Sequence, residues 1–376
     1  MDVDVAGVRE WQLRAVCAMA FDRSSTGRHK APRLAHAASD LETMMENPIL
    51  AEVTRGNAVE SRHRGSALVI DADGAVVFSS GDIDRPVFPR SAVKALQALP
   101  LFESGAADRY ELTEPEIALA VSSHSGEPLH AQTSLAMLAK AGRDAGCLEC
   151  GAHWPMNDAA ARAIARAGGE PSALNNNCSG KHAGFICLAC GLDEDTAGYV
   201  KTGHAVQQAV RGALEDVTSA AHSTDRMGTD GCSIPTYAVP LKALALGFAR
   251  FGTGHGLGPQ RGKAAVRIRK AAAAHPFMVA GTGRFDTRAM ELLRERIFIK
   301  TGAEGVYCGS LPELGYGIAL KCDDGAGRAA EVVMADLIAR FLPMDETEQA
   351  AFAPLRESVM TNWNGIEVGR VRAARV

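Results

Sequence analysis

Two tracts of period-two patterning stand near opposite ends of this chain, with a long helical stretch between them. Near the front, "GSALVIDADGAVVFSSGD" (65–82) predicts two strands joined by Asp71-Ala72-Asp73-Gly74, a hairpin signal. From about residue 296, "IFIKTGAEGVYCGSLPELGYGIALKCDDG" predicts three short strands with turns between them. The amphipathic "GRAAEVVMADLIARFLP" then predicts a helix, and "GIEVGRVRA" a closing strand. The middle, from "NDAAARAIARAGG" to "GKAAVRIRKAAAAHP", is mostly helical and punctuated by Pro and Gly. Strands at both ends around a helical middle predict an α/β fold whose one sheet is assembled from the two chain ends. No internal repeat or linker divides the chain.

Composition narrows the function classes. The chain has 376 residues, 47% hydrophobic and 22% charged, which suits a globular protein with a sizeable core. A net charge of −4 gives no basic footprint, so nucleic acid is not an expected partner. No apolar run approaches the roughly 20 residues of a membrane span. "LRAVCAMAF" (13–21) is too short to span and wrongly flanked for a secretory signal, so a cytoplasmic location is expected. Residues 22–41 lack periodicity, and ordered patterning begins at "ENPILAEVTRGN", directly after Met44 and Met45. Residues 1–43 are therefore expected to be an appended arm, disordered or upstream of the native start, and residues 44–376 the domain. Nine cysteines, an odd number without a signal, point to reduced thiols. Of the two CxxC pairs, Cys187/Cys190 lies in an apolar helix ending at Gly191 and reads as core.

The chemistry begins at "FPRSAVKALQ" (88–97), where Ser91 and Lys94 stand three apart on a predicted helix and share a face. A serine is a poor nucleophile until a positioned base takes its proton, and lysine is such a base only when burial or another cation depresses its pKa. Alone, the spacing is commonplace. Two further elements follow in order: the small polar loop Ser122-Ser123-His124-Ser125, and Lys300-Thr301-Gly302 on an edge-like strand. SxxK, a serine loop and KTG are the ordered signature of acyl-serine enzymes, although serine stands where those enzymes carry asparagine in the loop. The start of the helix at Ser91 adds amide dipoles suited to an oxyanion. A second cluster joins "NNNCSGKHAGF" (175–185) to "MGTDGCSIP" (227–235). Cys178 and Cys232, with Lys181 or His182, form a candidate zinc set with an open position.

Together these motifs, with "SSHSGEPLH", "CGAHWP", "GTGRFDT" and "KTGAEGVY", make the chain resemble the serine- and zinc-containing L-asparaginases of the rhizobial type. The resemblance covers roughly residues 47–376; the arm before residue 44 and Cys322 depart from it. It implies a fold like the serine β-lactamases and penicillin-binding proteins. It makes Ser91 with Lys94 one Ser–Lys tandem and Ser123 with Lys300 the other. It makes Cys178, Lys181 and Cys232 the ligands of a Zn2+ ion, and sets Arg90, His182 and Asp230 against the substrate or a metal-bound water. It also implies a homodimer and L-asparagine as the small-molecule substrate, hydrolysed to L-aspartate and ammonia. Ser91 is the favoured attacking serine. The rival enzyme is a β-lactamase or D,D-peptidase-like acyl hydrolase, separable by a chromogenic β-lactam assay beside ammonia release. A non-catalytic zinc- or amino-acid-binding module would need one of the four Ser/Lys positions to be lost, and none is. Blander roles are open for Ser122 and Ser125 as helix caps and for His124 as a solvent-facing side chain. Arg284 and Glu304 are expected to hold the fold.

Overall fold

The computed structural model describes residues 46–374, so the expected N-terminal arm and start site lie outside the described residues. Strands β1 (Ile49–Arg55), β2 (Ala58–Asp71) and β3 (Val76–Ser80) come first. Four short strands accompany the helical middle: β4 (Pro86–Val87), β5 (Met227–Thr229), β6 (Pro235–Tyr237) and β7 (Val239–Pro240). Then come β8 (Phe298–Thr301), β9 (Val306–Leu311), β10 (Tyr316–Cys322), β11 (Glu357–Thr361) and β12 (Glu367–Ala373). The main sheet runs β11-β12-β1-β2-β10-β9-β8, with β3 also on β2. All its pairings are antiparallel. The expected mixed α/β architecture, one sheet from both chain ends, is the one observed.

The seam between the two ends is β2 against β10, where Ala67 faces Leu320 and Val69 faces Ile318. The expected hairpin is β2–β3, closed by the Asp71 carboxylate accepting the Asp73 and Ala75 amides while Gly74 takes a φ of 95°. Strand β2 begins seven residues before the apolar run, because its polar half, Ala58–Arg64, pairs with β1. Strands β1 and β11 were not among the strands expected from the sequence.

Alternation along β10 shows what covers each face. A Cβ at Gly317 would meet the Ala245 carbonyl at 1.9 Å, so helix Leu241–Thr253 lies directly on the sheet there. Its neighbour Tyr316 points the other way, to Phe341 at the end of helix Gly327–Phe341, with ring centroids 6.5 Å apart. With both faces covered, the central strands read as continuous apolar runs: Leu68, Val69, Ile70, Ile318, Ala319 and Leu320 are all buried. Strand β8 is the sheet edge. Its Phe298 packs 5.2 Å from Phe251 of the covering helix, so Lys300, two residues on, shares that face and points into the helical layer.

Within that layer, helix Ser179–Gly191 is buried almost throughout. A Cβ at Gly180 would meet the Leu119 carbonyl at 2.4 Å, so this helix and helix Glu114–Ala120 touch backbone to backbone. That contact sets the Ser122–Ser125 loop beside Cys178, Lys181 and His182. All eight described cysteines are free thiols; Cys187 is core as expected, whereas Cys190, also expected there, is only partly buried against it because it lies at the end of its helix.

Gly317→Ala should cost about 3 kcal/mol, since the methyl has no room and the sheet and helix must part. Urea unfolding measures it, and a loss under about 0.5 kcal/mol, the size of an ordinary surface change, would mean that the contact is loose.

Candidate active site

The SxxK segment is less helical than its spacing suggests. Arg90–Val93 form one 3₁₀ turn, Lys94–Gln97 a single α-turn, and Pro100 lies in a separate short helix, Leu99–Glu103. Lys94 is fully buried. Its Nζ donates to the Ser122 carbonyl, to Ser123 Oγ at 3.0 Å and to Cys178 Sγ at 3.0 Å. An ammonium has three protons, and these acceptors use all of them. The expected Ser91–Lys94 pairing is therefore not formed in this structure. Ser91 is half-buried in the turn beside it.

The serine that Lys94 reaches is Ser123, and it is not alone there. Lys300, also fully buried, donates to Ser123 Oγ at 2.9 Å and to the Thr301 carbonyl at 2.9 Å. One hydroxyl thus sits between two lysines drawn from opposite ends of the chain. Burial, opposed by Asp286 and assisted by the charge of Lys94, lowers the Lys300 pKa to about 7. The loop carrying Ser123 is pinned on both sides. The Ser123 amide donates to the Val279 carbonyl and the His124 amide to the Asn177 carbonyl. Ser125 Oγ donates to the Ala280 carbonyl at 2.8 Å, and Glu127, not a serine, caps the next helix. His124 does not face solvent: it is fully buried, accepts the Gly126 amide at Nδ1 and meets Ser179 Oγ at 2.9 Å through Nε2. The oxyanion donors expected in the Ser91 turn are partly used, since the Ala92 amide donates to the Pro89 carbonyl.

Two residues outside the expected set hold Lys300 in place. Asp286 is fully buried and accepts the Thr301 amide at 3.0 Å and the Tyr307 hydroxyl at 2.6 Å, anchoring β8. Gly302 lets the strand end tuck under the SxxK turn, because a Cβ there would meet the Pro89 carbonyl at 2.7 Å. Asp286 lies in the "GTGRFDT" tract, between Arg284 and Arg288, where nothing in the local sequence sets it apart from a surface acid.

Arg90 occupies the left-handed region at φ 51°, uncommon for a side chain of its size. Its guanidinium grips Asp230 at two points, 3.1 and 3.2 Å. Burial alone would raise the Asp230 pKa, but the Arg90 hydrogen bonds and the Lys181 charge hold it below the usual carboxylate range. Asp230 and Cys232 both belong to the turn of the β5–β6 hairpin, which delivers them together.

Cys178, Lys181 and Cys232 do converge. Lys181 Nζ donates to Cys232 Sγ at 3.0 Å. Cys178 stands at the start of helix Ser179–Gly191. The hydrogen bond from Cys232, working against burial and joined by Lys94 and Lys181, holds the Cys178 thiol well below its ordinary pKa. The same hydrogen bond and burial push Cys232 up. Burial opposes the Lys181 ammonium, but the two sulfurs outweigh it and raise its pKa. Two sulfurs around one cationic nitrogen are a donor set a soft divalent cation would also satisfy, once lysine and thiol shed their protons. Among the described residues no group of three or more His, Cys, Asp and Glu gathers for a metal, so the set reaches three donors only through lysine. His182 is buried beside it, and burial with the nearby Lys181 and Lys94 charges keeps its pKa well below the ordinary value.

A family model described as L-asparaginase II matches residues 51–373. A comparison with curated proteins finds no match. Among solved structures, Mglu is similar at 17% identity over 75% of this chain and 69% of its own, with a TM-score of 0.34. A β-lactamase from Mycobacterium bovis matches at 13% identity over 74% and 95%, TM-score 0.37. D-alanine carboxypeptidase AmpC from Burkholderia cenocepacia matches at 14% identity over 72% and 93%, TM-score 0.35.

Asp286 supports the charge on Lys300, so Asp286→Asn should move the Lys300 titration further below about 7, by about one pH unit. NMR of the lysine ε-carbons follows it. An unchanged or raised midpoint would mean that the carboxylate does not act on that amine.

Proposed function

The chain belongs to the L-asparaginase II family, and from that premise we propose that it is an amidohydrolase converting L-asparagine to L-aspartate and ammonia through an acyl-serine intermediate. The observation that carries the reading is Ser123 Oγ held between Lys300 and Lys94. Lys300, with a pKa near 7, is neutral in a large fraction of molecules at physiological pH and takes the Ser123 proton. The alkoxide attacks the side-chain amide carbon, forming a C–O bond. Lys94, its three protons aimed at acceptors, stabilises the developing negative charge. The Lys300 ammonium then protonates the amide nitrogen as the C–N bond breaks, and ammonia leaves. Water, deprotonated by the same lysine, cleaves the acyl ester and restores Ser123.

The remaining residues take binding roles. Ser91, without a lysine proton to receive, is assigned to hydrogen bonding the substrate. The Arg90–Asp230 pair offers a guanidinium edge to the α-carboxylate and a carboxylate to the α-ammonium of an amino acid. Cys178, Lys181 and Cys232 would hold zinc, which when bound would supply Lewis-acid binding of the substrate. A cytoplasmic homodimer completes the reading. Among the described residues no helix is long and apolar enough to cross a membrane.

Ammonia release from L-asparagine tests the reaction. Ser123→Ala should lose at least about a thousandfold in kcat, and wild-type activity should rise through about pH 7 as Lys300 sheds its proton. A nearly active Ser123→Ala would sink the acyl-serine route, and a profile flat across neutrality would remove Lys300 as base. Hydrolysis of a chromogenic β-lactam without ammonia release would favour the rival acyl hydrolase.

The metal is tested separately. Protein purified without chelator should carry about one zinc per chain, lost in Cys178→Ala or Cys232→Ala. Its removal should raise KM and leave residual turnover, as loss of uniform binding does. Metal-free protein of full affinity would return both cysteines to the core.

A further inference from the structure

We infer that Tyr199 is a positioning residue whose hydroxyl fixes His182 as the Nε2–H tautomer, presenting a buried N–H donor to an oxygen atom of the substrate. The identity of that oxygen rests on the function proposed above; the tautomer does not. Tyr199 lies outside every motif singled out in the sequence, yet it is fully buried and clamped at three points. Its carbonyl accepts Gln207 Nε2 at 2.9 Å. The Gly198 amide before it donates to Glu149 Oε1 at 2.6 Å. Its hydroxyl accepts the Glu149 amide at 2.9 Å and lies 2.6 Å from His182 Nδ1.

The assignment follows from counting protons. The Glu149 amide is a donor, so it fills one lone pair of the Tyr199 oxygen. The phenolic proton then needs an acceptor, and among the described residues Nδ1 of His182 is the one within hydrogen-bond distance. With that proton donated to Nδ1, the imidazole carries its own on Nε2. The reverse assignment would bury a phenol proton with no acceptor and leave Nε2 a bare lone pair, two unmet groups in place of one. In the favoured assignment the unmet group is the Nε2–H, and Nε2 is indeed buried without a partner. The ring cannot swing to find one, because Tyr199 stands edge-on at 5.4 Å and Phe185 tilts against it at 6.0 Å. An orphaned donor held rigidly one residue from Lys181 is suited to an oxygen acceptor: a carboxylate, an amide carbonyl or the oxyanion that follows from it. The same tautomer keeps His182 from ligating a metal through Nε2, because that lone pair is protonated.

Long-range nitrogen–proton NMR of histidine-labelled protein reads the tautomer directly, with the His182 signals identified by their loss in His182→Gln. The wild-type spectrum should show protonated Nε2 and bare Nδ1, and Tyr199→Phe should redistribute the proton between the two nitrogens. Tyr199→Phe should also lower kcat/KM for ammonia release about tenfold, one hydrogen bond's worth. On a His182→Gln background the same substitution should cost nothing further. An Nδ1–H pattern in the wild type, or an undiminished loss on the His182→Gln background, would overturn the inference. Should Tyr199→Phe fail to fold, the wild-type spectrum alone decides. A wild type that releases no ammonia from asparagine would sink the proposed function and leave the tautomer still readable.

Discussion

Two buried lysines converging on one serine hydroxyl are the constraint around which the site is built. Placing like charges together away from water is expensive, and the fold relieves the expense at one of them. Lys94 meets three acceptors, including a cysteine whose thiol is held well below its ordinary pKa. Lys300 has the serine, one carbonyl and a more distant carboxylate, and its pKa drops to about 7. The two lysines thus share one hydroxyl but not one environment, the first with three acceptors and the second with two. Lys94 also ties the serine to the thiol cluster, because it touches both.

Holding that arrangement requires backbone contacts tighter than side chains allow. Gly302 draws the end of β8 under the SxxK turn, Gly180 presses one helix against another beside the serine loop, and Gly317 seats a helix on the sheet. Each is a place where a methyl group would push apart packed backbones. The antiparallel seam between β2 and β10 makes the delivery possible at all, since the lysines lie more than two hundred positions apart in a chain of 376 residues.

The layout was legible because its periodicities are strong: the hairpin, the last three strands before the C-terminal helix and the closing strand fall where the patterning changes. Strands β1 and β11 and the front half of β2 were hidden. Strand β11 is a sheet edge, and the front half of β2 lies beyond the reach of β10 and pairs only with β1, where exposed polar residues such as Glu60, Arg62 and Arg64 break up the apolar signal. In the site, motif spacing named the residues that meet but not who meets whom. Helical stacking paired Ser91 with Lys94, whereas the α-turn is too short and its lysine reaches across to another loop. Asp286 and Tyr199 escaped notice because a lone acid and a lone phenol carry no spacing signal. Their importance lies in the tertiary contacts they make with Thr301 and His182.

The central claim is that Ser123, not Ser91, carries the acyl group. Trapping the intermediate with a slow amide or ester substrate and locating the modified residue by mass spectrometry tests it most directly. The account predicts the added mass on the peptide containing Ser123. Its appearance on Ser91 would contradict the account and return the SxxK serine to the attacking role.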